Sequence, residues 1–159
     1  MTPYQNPFPL GSDQHAFWHL LVEVDIESFV QADWARLRSA FVSTGFTAID
    51  AKASSNPDDW RLSFSRVDDY GTLWLENARA MGAQVTPDAL RQAFIDATRM
   101  NDIEVQGDSA LLHKQLDGQI VTRSGTIIPL HWQTLYQCVR LDAEWKIAGF
   151  VGFLPLSAR

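Results

Sequence analysis

Two apolar stripes on opposite sides of one helical stretch constrain this chain more than any other feature. From about Gln14 to Val30, the residues Phe17, Leu20, Leu21 and Val24 recur at helical spacing, and Trp18, Val22, Ile26 and Phe29 form a second strip almost opposite. A helix with one apolar side packs on one layer. With two, it is wedged between layers, or it has a core on one side and a cavity on the other. Ser12 and Asp13 supply its N-terminal cap.

Two more helices follow. Asp33 caps a shorter one carrying Trp34, Leu37 and Phe41, which Gly45 ends. Phe46 to Asp50 has the content of a short strand, and Asn56-Pro57 marks a turn or a helix start. Ser65 to Asp68 resembles a capping box and opens a third helix, with Val67, Tyr70, Trp74, Ala78 and Met81 as core face and Gly82 as stop.

The second half reads as strands. Gly107-Asp108 makes a tight hairpin turn, and turns are expected at Asp117-Gly118 and Ser124-Gly125. A long strand runs from about residue 127 to 141, Asp142 to Glu144 reverses the chain, and a last strand runs from Trp145 to Leu154. One face of that strand is Trp145, Ile147, Gly149, Val151 and Phe153; the other includes Ala148, Phe150 and Leu154, so both need cover. Residues 87–100 fit a helix by the spacing of Leu90, Phe94 and Ala97, and a strand by their lead into the hairpin. The expected class is α+β, with three N-terminal helices packed on a curved antiparallel sheet. Incomplete cover of such a sheet leaves a conical cavity that suits a ligand.

The chain has 159 residues, which makes residues 13–159 one domain of ordinary size. Residues 1–12, with Pro3, Pro7 and Pro9, read as an extended arm strapped down by Tyr4, Phe8 and Leu10. A formal net charge of −6 argues against a nucleic-acid partner, which needs a basic patch. No stretch has the length and apolarity of a membrane span, and the arm lacks the layout of a secretory signal, so the expectation is a soluble cytoplasmic protein with no membrane partner. The single Cys138 leaves neither an internal disulfide nor a thiolate cluster.

Asp50 is the first candidate for chemistry: at the mouth of an apolar cavity, a desolvated carboxylate is a useful general base. Its bland alternative is to cap the turn before Lys52. His113 and His131 lie on the two long strands and would act as acid or base and orienter if they faced the cavity, or sit half-exposed on the sheet if they did not. Trp34, Trp60 and Tyr70 are candidate walls, and Arg61 could present a fork to a carboxylate. Trp132 and Tyr136 share a face with Thr134 and line either the cavity or a dimer interface. His15 and His19 have metal-pair spacing with Glu23 beyond them, yet no third ligand follows, so neither a metal nor a cofactor is expected.

The run from Asp33-Trp34-Ala35-Arg36-Leu37-Arg38 through Phe46-Thr47-Ala48-Ile49-Asp50 resembles the second helix and first strand of the nuclear-transport-factor-2-like superfamily, which includes the SnoaL-like polyketide cyclases. Leu130-His131-Trp132 and the segment Asp142 to Phe150 resemble the last hairpin of scytalone dehydratase and its relatives. By order of elements the resemblance spans roughly residues 14 to 154. It implies a cone-shaped, cystatin-like α+β barrel, often dimeric through its sheet, that hosts isomerases, dehydratases, cyclases and non-enzymes alike. The polar positions of scytalone dehydratase correspond here to Phe29, Val30, Ala51 and Ala93. The general base of ketosteroid isomerase falls near Asp50, but its oxyanion donors fall near Asp25 and Gln137, where no comparable donor pair stands.

Two functional expectations result. One is a cofactor-independent lyase or isomerase (isomerase, cyclase or dehydratase) acting by acid–base chemistry on a small apolar or aromatic ring compound. The other is a non-catalytic homodimer that binds a ligand or a partner passively.

Overall fold

A computed structural model describes residues 2–157. The first helical stretch opens as expected, with the Ser12 hydroxyl accepting the His15 amide at 3.1 Å. It is not one regular helix. An α-helical turn and a half, α1 (Asp13–Trp18), passes into a π-helical segment at His19–Val24 and then into α2 (Asp25–Gln31). Through the π segment the Asp25 amide reaches back five residues to the Leu20 carbonyl. The wider turn shifts the helix face, so Phe17, Leu21, Val22 and Ile26 are all buried although they do not form one regular 3.6-residue stripe.

Ala32, left-handed at φ 52°, ends α2, and the Asp33 carboxylate accepts the Arg36 amide to cap α3 (Trp34–Arg38). Helix α3 is shorter than its apolar pattern suggested, because Phe41 leaves it to bridge Ile147. Strands β1 (Thr47–Asp50) and β2 (Arg61–Phe64) flank a single 3-10 turn at Pro57–Asp59. Helix α4 (Val67–Gly82) ends at the expected glycine, but the expected capping box does not form. Arg66 holds the cap position with no side-chain bond, and the Asp68 carboxylate is turned outward to Arg38 Nε at 3.0 Å.

The ambiguous segment is both elements in succession. Thr86 caps α5 (Pro87–Ala97), which gives way directly to β3 (Thr98–Gln106). β4 (Ser109–Val121) then runs straight through the turn expected at Asp117-Gly118. The glycine serves a close approach instead: a Cβ on Gly118 would lie 2.8 Å from the Ala97 Cβ. The chain turns at Thr122–Thr126, where Gly125 has φ 85°, and returns as β5 (Ile127–Leu141). Asp142 and Ala143, both with positive φ, form the last turn into β6 (Glu144–Leu154).

Among the described residues, six strands form one open sheet in the order β2-β1-β6-β5-β4-β3, antiparallel except where β1 runs parallel to β6. It is not closed into a barrel; β2 and β3 are its edges. Bulges in the β1–β2, β3–β4 and β5–β6 pairings bend it. The bulge at Gln137/Cys138 also breaks the simple alternation expected of the last strand, so that Ile147 and Phe150 are both buried. The helices cover the concave face. The main core gathers Phe17, Leu21, Ile26, Trp74, Met100 and Ile147, and a smaller one under α5 gathers Val85, Leu90, Leu116, Ile120 and Leu130. Of the arm residues, Tyr4 is buried, whereas Leu10 is 88% exposed and fastens nothing. Among the described residues, no helix is long and apolar enough to cross a membrane.

Candidate functional site

Inward-facing positions along β4 should be apolar, and Ala110, Leu112 and Leu116 are. Between them, Lys114 is 4% exposed. Its Nζ donates to the Leu21 carbonyl in the π segment and to Asp25 Oδ2, the latter at 2.8 Å. The π turn therefore does two things: it offers a backbone oxygen to the ammonium, and it aims the Asp25 carboxylate at the same nitrogen.

This pair lines a cavity of about 430 Å³ between α2, α4, α5 and the sheet. Most of the wall is aromatic or aliphatic, with Phe29, Trp74, Phe94, Trp132, Phe150 and Phe153 prominent. Beside the ion pair stand Thr134 and the phenols of Tyr70 and Tyr136. Burial pushes both tyrosines well above the ordinary value of 10.0, with the Asp25 carboxylate adding to the shift of each. Neither phenol draws a hydrogen bond from a described residue. Two O–H donors without acceptors, one cation and one carboxylate thus converge in a mainly apolar chamber. Such a set can hold a carbonyl or hydroxyl oxygen and move a proton beside it.

Tyr70, Trp132 and Tyr136 line this chamber. His113, His131, Asp50, Trp34, Trp60 and Arg61, expected at the cavity, lie outside its lining. His113 and His131 occupy the convex face of the sheet: Leu135 and Asp117 are their β-partners, so they are not opposed to each other. His113 Nε2 meets Gln133 Oε1 at 2.7 Å. His131 lies between Asp117 Oδ1 at 3.1 Å and the Leu156 carbonyl at 2.8 Å, tying down the last described residues. Asp50 accepts the Lys52 amide at 2.8 Å, which is the turn-capping alternative, and only its charge reaches Tyr70.

Trp34 is core, not wall. It packs against Phe41, Tyr70 and Trp74, and a Cβ on Gly71 would collide with its ring. Trp60 donates to the Ser54 carbonyl within its own loop, and Arg61 Nη1 donates to the Asp58 and Trp60 carbonyls. His19 contacts Glu23 at 3.0 Å, and among the described residues no three His, Cys, Asp or Glu side chains converge as a metal set would. Lys114 is not among the residues the sequence singles out, and Asp25 enters there only as a position without a matching donor pair. The signal was present, because Lys114 interrupts an inward apolar row at period two.

No protein-family model matches this chain, and no curated protein matches it. Solved structures do match along nearly the whole length. A conserved protein from Planctomyces limnophilus superimposes with a TM-score of 0.59 at 15% identity, over 91% of this chain and 98% of that one. A nuclear transport factor 2-like superfamily protein from Salmonella enterica gives 0.57 at 12% identity, over 91% and 92%. The chain has the nuclear transport factor 2-like fold. A domain with a cystatin-like fold from Nostoc punctiforme also matches, with a TM-score of 0.54 at 14% identity, over 94% and 81%. At such identities the likeness is one of backbone path, and the nuclear transport factor 2-like fold leaves the chemistry to the residues of the chamber.

Proposed function

We propose that this protein binds a small, largely apolar ring compound bearing a ketone or hydroxyl group, and acts on it by acid–base chemistry without a cofactor. One observation carries the reading: the Asp25–Lys114 pair and the free Tyr70 and Tyr136 phenols share one chamber with a predominantly aromatic wall. Asp25 would take a proton from the carbon next to a carbonyl, and the charge developing on oxygen would be met by the two phenols. Trp132, Phe150 and Phe153 would hold the ring. Isomerisation, cyclisation and dehydration all share this step.

Hydrogen–deuterium exchange next to the carbonyl of 2-tetralone, followed by NMR, tests it. The protein should accelerate exchange above buffer, and Asp25→Asn should lower that acceleration by roughly 10²-fold or more. If 2-tetralone binds and exchanges only at the buffer rate, the protein is a binder and not an enzyme.

A separate observation favours a homodimer. One register row crosses the convex face as Leu62, Ile49, Val151 and Leu135, continuing into His113 and Asp102 at the far edge. Leu62 is 60% and Leu135 50% exposed, an apolar line that a second copy would cover. Sedimentation should give a dimer at micromolar concentration, and Leu135→Asp should give a monomer. A wild-type monomer sinks this part.

A further inference from the structure

The lysine in the chamber is chemically more than a tie between sheet and helix. Position 114 could join the two layers with an apolar side chain, because a buried ion pair seldom stabilises more than a well-packed apolar replacement. Instead the ammonium lies against the chamber wall, with two of its three N–H bonds given to the Leu21 carbonyl and Asp25 Oδ2. Among the described residues, the third has no partner. The carboxylate that holds it is also 2.8 Å away, within reach for proton exchange.

We propose that Lys114 is a nucleophile, and that the chamber condenses with aldehydes and unhindered ketones as a protonated imine. The proposal rests on the ligand-binding reading of the same chamber and deepens it by naming the reactive group as a carbonyl. The sequence of steps balances without any co-reactant. Asp25 accepts one proton from the Lys114 ammonium. The freed amine lone pair attacks the carbonyl carbon, the C–N bond forms as the C=O π pair moves to oxygen, and a proton shifts from nitrogen to that oxygen to give a carbinolamine. Asp25 returns its proton to the hydroxyl, the C–O bond breaks, and water leaves. The product is an iminium beside the Asp25 carboxylate: one ammonium and one carbonyl in, one iminium and one water out. The Tyr70 and Tyr136 phenols line the same chamber and would donate to the oxygen while it departs.

The lysine content makes the test clean. The chain has only two other lysines, Lys52 and Lys146. Lys52 is exposed, and the Lys146 ammonium is held by the Ser39 carbonyl and Glu144. The full chain is incubated with 2-naphthaldehyde and sodium cyanoborohydride, and adducts are mapped by peptide mass spectrometry. In parallel, 2-naphthalenemethanol, which cannot form an imine, is titrated against tryptophan fluorescence.

The expected result is one reduced adduct at Lys114, formed about tenfold or more faster than at Lys52 or Lys146. Lys114→Met should abolish it. The comparison among wild-type lysines stands even if that variant fails to fold. Binding of the alcohol with adducts only at Lys52, Lys146 or the terminal amine overturns the nucleophile and leaves the ligand chamber intact. Failure of both compounds to bind removes the chamber reading and the nucleophile with it.

Discussion

Asp25 and Lys114, separated by 89 residues in sequence, meet at 2.8 Å across the layer between the first helical stretch and β4. Removing one partner leaves the other charge in a poorly hydrated site, whereas removing both does not. Asp25→Asn or Lys114→Met alone should therefore destabilise the fold by roughly 3 kcal/mol, and the double variant should recover much of the loss. Urea unfolding midpoints of the four proteins check this. Additive losses would show that the pair is not coupled.

All three tyrosines are held protonated. Tyr70 and Tyr136 are raised by burial, and Tyr4 by burial and then by its bond to the Glu27 carboxylate. A raised folded value means that this contribution is intact below the ordinary 10.0 and is lost as pH rises through the folded values. Ultraviolet difference titration should show no tyrosine ionising near pH 10 in the native protein. All three should ionise there in guanidinium. A native step near pH 10 would place at least one phenol in water.

The arm and α5 share an acid-sensitive clasp. Tyr4 donates to Glu27 Oε1 at 2.7 Å, and the Arg91 guanidinium grips the same carboxylate with Nε and a terminal nitrogen. The Arg91 hydrogen bond, more than the one from Tyr4, holds Glu27 below its usual 4.5. That stability is complete above the usual value and disappears as pH falls through the lowered one. Glu27→Gln should thus flatten the acid side of the stability–pH curve, and Tyr4→Phe should cost about 1 kcal/mol at neutral pH. An unchanged acid limb in Glu27→Gln would assign acid unfolding to other carboxylates.

Gly118 is fixed by contact and not by turn geometry. Gly118→Ala would force its methyl group against Ala97, an overpacking worth about 1–3 kcal/mol. Ala97→Gly in the same chain should relieve part of that strain, and the two thermal midpoints measure it. Equal midpoints for wild type and Gly118→Ala would mean that α5 yields freely.

Cys138 is fully buried, and burial pushes its thiol up to about 12. It should ignore thiol reagents until the protein unfolds. Prompt modification of the native chain would show that the sheet opens at this point.

Some local signals were legible, although the capping box at Ser65–Asp68 and the turn at Asp117-Gly118 were overridden by packing. The Ser12 and Asp33 caps and the reversals at Gly107 and Gly125 follow from backbone needs that a few neighbouring residues meet. The α+β layering follows from apolar period alone. What the tertiary structure decided are the relations between distant residues. The π segment is a register shift that no single residue type announces, yet its Leu21 carbonyl and the Asp25 that follows it both meet Lys114. The bulge at Gln137/Cys138 reassigns Ile147 and Phe150 to the same side, and strand register put His113 and His131 on the face away from the chamber. A charge's partner in a folded chain is chosen by packing geometry in three dimensions, and spacing along one dimension does not contain it.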